Sequence, residues 1–266
     1  MIKGSTKFHF FLIILIIMTE SAVSQTEFIE LLDDNKIEFS QILDFKNNRI
    51  YIYAKKQNTI YTIPRDKPRL QKYQQIDLDT NIFYYNEKDD LIFYTEGFDS
   101  GYTSFIIKDN DETKFDNKMI GDVCKTKVLM TEFEPIEANS RVYLYDLRTE
   151  KKEILSFRAQ KVNFKTKNCF IFTKYNNKNQ HFEINMFKKT SERLNKLHQS
   201  KNWIKLINNY KETESIYFSE KRILKKLSNG SINTITSLKG VSSFKVLDNF
   251  LFAIKGTKLL YLNLDE

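Results

Sequence analysis

The chain has 266 residues, with 42 Lys and Arg against 34 Asp and Glu, a formal net charge of +8. The basic residues are scattered among acids rather than gathered into a stripe, which argues against a nucleic-acid-binding protein. Only seven glycines and three prolines occur, and no Pro/Gly/Ser-rich stretch divides the chain into separate domains.

Lys3 and Lys7 precede an apolar run over residues 8–18, and Ala22 and Ser24 precede Gln25 by three and one positions. A basic start, a short apolar run and a small-x-small pair predict a signal peptide over residues 1–24. An uncleaved anchor or a buried core helix competes with this reading. The run is short for a membrane span, however, and no stop-transfer pattern follows. Residues 25–266 are therefore read as a single secreted, extracellular domain.

Helical periodicity is nearly absent beyond that point. Short runs of Tyr, Phe, Ile, Val and Leu alternate with a period of two and are separated by Asn, Asp, Lys and Gly turns. Asn47-Asn48, Asn176-Asn177 and Asn208-Asn209 supply residues that tolerate the left-handed conformation of tight turns. The runs come in pairs. In chain order these are NNRIYIYAKKQNTIYTI from Asn47, DDLIFYTEGFDSGYTSFII from Asp89 and KTKVLMTEFEPIEANSRVYLYDL from Lys125. NCFIFTKYNNKNQHFEINMF from Asn168, ESIYFSEKRILKKL from Glu214 and DNFLFAIKGTKLLYLNL from Asp248 follow.

The leading strands begin near Arg49, Asp90, Lys127, Asn168, Ser215 and Asn249, at intervals of 41, 37, 41, 47 and 34 residues. A recurrence near forty residues, with room for two further strands in each interval, predicts an all-β six-bladed β-propeller of four-stranded blades. A sandwich or barrel does not require so even a repeat. The last hairpin ends at Leu264 with too little chain left for an outermost strand. TEFIELL, from Thr26, is expected to complete that blade, so that the mature N-terminal strand closes the ring. SERLNKLH, from Ser191, can form a helical turn or two in the fourth connection.

Cys124 and Cys169 form an even pair in an oxidising compartment, which predicts one disulfide, the alternative being two buried thiols. Such a bridge contributes about 4 kcal/mol in the chain-entropy account. Asn229-Gly230-Ser231 is a glycosylation sequon if it occupies an exposed turn.

Catalytic signatures are missing. Only His181 and His198 follow the export signal; His181 reads as an ordinary strand residue and His198 as a solvated one. No nucleophile elbow, zinc-binding helix or phosphate-cradling glycine loop occurs, so no cofactor is expected. Acidic clusters at Asp33-Asp34, Asp77 with Asp79, Asp89-Asp90 and Asp109 with Asp111 read as peripheral turns rather than an axial calcium site. Recognition remains. The innermost strands that line a propeller channel are expected near residues 38–43, 82–85, 119–122, 161–164, 203–206 and 242–245. Among them Tyr84, Lys161, Phe164, Trp203 and Lys245 are candidate ligand-binding residues, able to stack on and neutralise a planar acidic molecule. For each aromatic, packing between blades is the competing role.

LQKYQQIDLDTNIFYYNEKDDLIFYTEGFDSGYTSFIIKDN, from Leu70, and the closing SSFKVLDNFLFAIKGTKLLYLNLDE resemble the strand-and-turn pattern of the insect ommochrome-binding proteins. That resemblance implies a secreted carrier of a flat, carboxylated phenoxazinone pigment. It transfers no ligand residues. Two other readings compete: an extracellular protein-interaction propeller of the saliva, venom or immune type, with a broad aromatic patch and a narrow channel, and a calcium-dependent propeller lactonase; under any of them a monomer is expected. Neither a membrane nor a nucleic-acid partner is expected.

Overall fold

The computed structural model describes residues 27–75, 81–88, 91–98, 101–108, 111–132, 134, 138–207 and 215–264. The predicted signal peptide lies outside them, as do the turns predicted at Asp77, Asp79, Asp89, Asp90, Asp109 and Asn208-Asn209.

Strand β1 (Ile29–Asp33) precedes the first blade in sequence but belongs to the last. Blade 1 is β2 (Gln41–Lys46), β3 (Arg49–Ala54), β4 (Thr59–Pro64) and β5 (Gln71–Gln75). Blade 2 is β6 (Asn81–Lys88), β7 (Leu91–Phe98), β8 (Gly101–Lys108) and β9 (Asp111–Asp116). Blade 3 is β10 (Lys118–Cys124), β11 (Lys127–Glu132), β12 (Ser140–Asp146) and β13 (Lys151–Ala159). Blade 4 is β14 (Lys161–Thr166), β15 (Cys169–Asn176), β16 (His181–Lys188) and β17 (Arg193–Ser200). Blade 5 is β18 (Ile204–Leu206), β19 (Ile216–Glu220), β20 (Ile223–Ser228) and β21 (Ser231–Ser237). Blade 6 is β22 (Ser243–Leu247), β23 (Phe250–Lys255), β24 (Lys258–Asn263) and, outermost, β1. The protein is a six-bladed β-propeller of antiparallel four-stranded blades, closed by its N-terminal strand.

Blades stack through both faces, so their inner strands carry apolar side chains at successive positions. In β3, Ile50 and Ile52 face blade 6, where they meet Phe252 and Ile254; Tyr53 faces blade 2 and Tyr85. In β11, Val128 and Met130 face blade 2 while Leu129 faces blade 4. This alternation is the pleat of the strand, repeated around the ring. Five phenylalanines, Phe157, Phe164, Phe170, Phe172 and Phe187, fill the space between blades 3 and 4. Phe157 and Phe172 stack there at 4.2 Å between ring centroids.

Tight turns follow the asparagine pattern. Asn47 and Asn48 join β2 to β3 with φ of 53° and 58°, and Asn229 and Gly230 join β20 to β21 with φ of 50° and 77°. Positive φ at both central residues matches the right-handed twist of the paired strands. The Asn229 sequon thus occupies an exposed hairpin tip.

Inner strands end their ladders at the axis, and neighbouring blades satisfy the exposed backbone groups. Ile120 N–H, in β10, donates to Thr95 Oγ1 at 3.0 Å and Ser104 Oγ at 3.2 Å, both from blade 2. The Phe164 N–H of β14 donates to Asp122 Oδ2 at 2.9 Å. Gly121 sits where β10 and β14 come closest: a Cβ there would lie 2.6 Å from the Val162 carbonyl oxygen. Gly121→Ala is expected to cost about 1–3 kcal/mol by forcing the two blades apart. Urea unfolding measures it, and an unchanged midpoint would contradict this contact.

Three expectations need correction. The disulfide does not form. Cys124 belongs to the cluster between blades 3 and 4. Cys169 alternates with Phe170 along β15 and so shares the opposite face with Ile171, toward blade 5. The sheet of blade 4 separates the two residues, and both are buried thiols. The segment from Ser191 is not helical beyond a 3-10 turn at Lys189–Ser191; it becomes β17 and pairs with β16. His198 accordingly lies on a strand, half-buried, its ring 5.3 Å from that of Phe218. Burial holds its imidazole below the usual histidine range.

Candidate functional site

A cavity of about 830 Å³ opens on the axis at the N-terminal ends of the innermost strands. Each blade contributes to it: Leu43 from β2, Tyr84 and Tyr85 from β6, Met119 and Gly121 from β10, and Lys161 from β14. Lys205 of β18 and Lys245 of β22 complete the ring of inner strands, and Trp203, just before β18, stands at the mouth. The indole is 60% exposed, an unusual state for so large an apolar group.

Four of the five predicted ligand-binding residues therefore line one cavity: Tyr84, Lys161, Trp203 and Lys245. Phe164 does not. Strand alternation puts Lys161 and Phe164, three residues apart, on opposite sides of β14. Phe164 packs with Val162 and Phe170 in the core between blades 3 and 4, 5.6 Å from the Phe170 ring.

The remaining polar groups follow from a backbone irregularity. The register of β2, β6 and β10 slips just before Asp44, Tyr84 and Asp122, the same place in three successive blades. A bulge of this kind re-aims the side chain that follows it. Asp44 Oδ1 accepts from Phe45 N–H at 2.8 Å, and Asp122 Oδ1 accepts from Val123 N–H at 2.8 Å. The two carboxylates thus repeat one local structure in blades 1 and 3. Their signal in the sequence is an acid within an apolar inner strand, Ile42-Leu43-Asp44-Phe45 and Ile120-Gly121-Asp122-Val123.

The axis is electrically divided. Blades 4, 5 and 6 supply Lys161, Lys205 and Lys245; blades 1, 2 and 3 supply Asp44, Tyr84 and Asp122. Burial pushes Asp122 up to about 6, against the pull of its backbone hydrogen bonds and of Lys245. Burial also raises Asp44, partly offset by Lys245. Tyr84 is raised well above the usual phenol range by burial and by the two carboxylates, so its hydroxyl stays neutral. Burial, then the neighbouring charges of Lys205 and Lys245, bring Lys161 down to about 8. Lys205 and Lys245 are lowered as well, first by burial.

The three amines are held differently. Lys245 Nζ donates to the Leu43 carbonyl oxygen of blade 1 and lies 6.0 Å from the Tyr84 ring centroid. Lys205 Nζ lies 4.6 Å from the Phe244 ring centroid. Lys161 has no hydrogen-bond or ion-pair partner among the described residues. Beside it, the buried Oε1 of Gln160 also has none. Sequence reasoning missed Lys205, Gln160 and the two carboxylates.

Trp203 reaches the mouth because Glu220 fixes the chain before it. Glu220, the last residue of β19, accepts hydrogen bonds from Ser200 Oγ, from Asn202 Nδ2 at 2.9 Å and from Lys225 Nζ at 2.6 Å. Asn202 N–H donates to Ser200 Oγ at 3.0 Å. These bonds outweigh burial and hold the Glu220 carboxyl down at about 2.

No family model and no curated protein sequence matches the chain. Solved propeller structures do. One is from a mitotic checkpoint complex, at TM-score 0.56 and 10% identity over 91% of this chain and 96% of that one. Another is from a nidogen/laminin complex, at 0.56 and 11% over 79% and 87%. Streptogramin B lyase aligns at 0.53 and 10% over 89% and 97%. At such identity the likeness establishes the fold alone.

Proposed function

We propose that this propeller is a secreted, non-enzymatic carrier of a planar acidic small molecule, held in the axial cavity with its ring system against Trp203 and Tyr84. The observation that carries this reading is the gathering of Lys161, Lys205 and Lys245 in one cavity with an exposed indole at its mouth. The cavity's size is that of sites for drug-sized ligands, about 300–1,000 Å³. An ommochrome pigment, the ligand implied by the resemblance above, has the required flat, carboxylated form.

A protein-interaction propeller predicts a broad exposed apolar patch. Among the described residues, the large exposed apolar side chains apart from Trp203 (Ile29, Tyr73, Ile154, Leu194 and Ile232) each sit on a different blade's outermost strand. They are spread around the circumference. The calcium lactonase reading requires oxygen ligands converging on the axis, yet no group of three metal-ligating side chains occurs among the described residues.

Affinity for a carboxylated pigment depends on the cavity lysines keeping their charge. Lys161 loses its proton as pH passes about 8. Xanthommatin affinity, followed by the pigment's visible spectrum, is therefore expected to fall roughly tenfold between about pH 7 and about pH 9.5. A pH-independent affinity would remove the lysines from the account.

A further inference from the structure

Lys161 differs from the other cavity lysines in a way that charge neutralisation does not use. Lys245 is tied to the Leu43 carbonyl and faces Asp44 and Asp122, and Lys205 lies over the Phe244 ring. The amine of Lys161, on a partly buried residue that lines the cavity, has neither kind of anchor among the described residues. Two further ammonium groups of the same cavity, Lys205 and Lys245, act on it as like charges, and the opposing charge that acts on it is the buried Asp122.

A partly buried lysine sharing a cavity with other cations is the arrangement that turns an ammonium into a nucleophile at near-neutral pH. Burial and like charge both disfavour the protonated form, and they leave the lone pair available. The flanking cations serve a second purpose: they can hold an anionic group of a ligand while its carbonyl meets the amine. Gln160 Oε1, buried at the cavity wall with no donor among the described residues, offers that ligand a hydrogen-bond acceptor.

We propose that Lys161 is the amine nucleophile of a carbonyl-capturing site, condensing reversibly with the aldehyde of a small anionic ligand seated against Lys205 and Lys245. The Nζ lone pair forms a bond to the carbonyl carbon as the carbonyl π pair moves to oxygen. A proton passes from nitrogen to that oxygen, giving a neutral carbinolamine. The C–O bond then breaks and the oxygen leaves, with a second proton from nitrogen, as water; the nitrogen and carbon share the new double bond. Amine and aldehyde become imine and water, with no oxidant or reductant. The site then retains aldehydes covalently and releases them by hydrolysis. The proposal rests on the cavity being the ligand site, but not on the ligand being a pigment.

Pyridoxal 5′-phosphate, an anionic aldehyde, and pyridoxal, which lacks the phosphate, are the probes. Each is incubated with the intact protein at about pH 8, reduced with borohydride, and mapped by peptide mass. The neutral fraction of Lys161 at this pH predicts labelling roughly 10- to 100-fold faster than at an exposed lysine such as Lys67, with the phosphorylated probe favoured. Lys161→Arg keeps the charge and should lose this label. Labelling spread over exposed lysines, or centred on Lys205 or Lys245, overturns the proposal, as does no preference for Lys161 in the unmodified protein. Xanthommatin has no aldehyde and is titrated in parallel. Pigment binding without trapping removes only the imine; trapping without pigment binding removes only the pigment.

Discussion

Replacing Glu220 with alanine is expected to lower stability by about 2–3 kcal/mol, the range for removing a charged acceptor from its hydrogen bonds. The carboxylate is 8% exposed and accepts from Ser200, Asn202 and Lys225 at once. Alanine leaves the partly exposed Lys225 ammonium unpaired and two donors without this acceptor. Glu220→Gln keeps one acceptor oxygen and should cost less. Because Ser200 and Asn202 lead directly into Trp203, both variants should also raise the polarity around the indole and red-shift its emission. A stability loss with an unchanged Trp203 spectrum would separate Glu220 from the site.

The same carboxylate governs acid behaviour. Its folded pKa, about 2, lies below the unfolded value near 4.3, so its stabilisation is complete above the unfolded value and is lost as pH falls toward 2. Asp122 runs the other way. Its folded pKa of about 6 lies above an unfolded value near 3.9, so its contribution is fullest below the latter and is lost as pH rises through 6. Stability should therefore peak in mild acid. Asp122→Asn should flatten the limb near pH 6, and Glu220→Gln the limb below the unfolded carboxylate range, when denaturant midpoints are measured across pH.

Removing residues 27–34 is the second large perturbation. Strand β1 pairs with β24 from Ile29↔Tyr261 to Asp33↔Lys258. Lys258 Nζ donates to Glu30 Oε2 at 2.7 Å, and Thr257 Oγ1 donates to Asp33 Oδ1 at 2.6 Å. Leu31 and Leu32 pack on the core between blades 1 and 6, and Phe28 on that between blades 5 and 6. Loss of this half-buried apolar surface should cost roughly 3–6 kcal/mol. It also exposes β24 as an apolar edge, so the truncated chain should self-associate. Calorimetry and light scattering measure both effects. A monomer with an unchanged melting temperature would show that the ring does not depend on this strand.

The blades were legible because both faces of each inner strand are buried. That places nearly unbroken apolar runs at intervals near forty residues, and the second strands start at Arg49, Leu91, Lys127, Cys169, Ile216 and Phe250, within one residue of expectation. Outer strands are half-solvated, and their patterns weaken accordingly; β17, with Leu194 exposed, was open to a helical reading. The cavity was legible at Tyr84, Lys161, Trp203 and Lys245 because each blade presents the same end of its inner strand. Asp44 and Asp122 were not, because bulges leave no mark on hydrophobic spacing. The Cys124–Cys169 pairing and Phe164 failed for one shared reason: the parity of a strand decides which face a residue serves.

The most direct test of the carrier reading is a titration of the purified protein with xanthommatin, followed through the fluorescence of Trp203, the sole tryptophan. Saturable quenching at one pigment per chain is expected, weakened by Lys205→Met and by Lys245→Met. No saturation at about 100 µM pigment, an affinity weaker than roughly 5.5 kcal/mol, would contradict it.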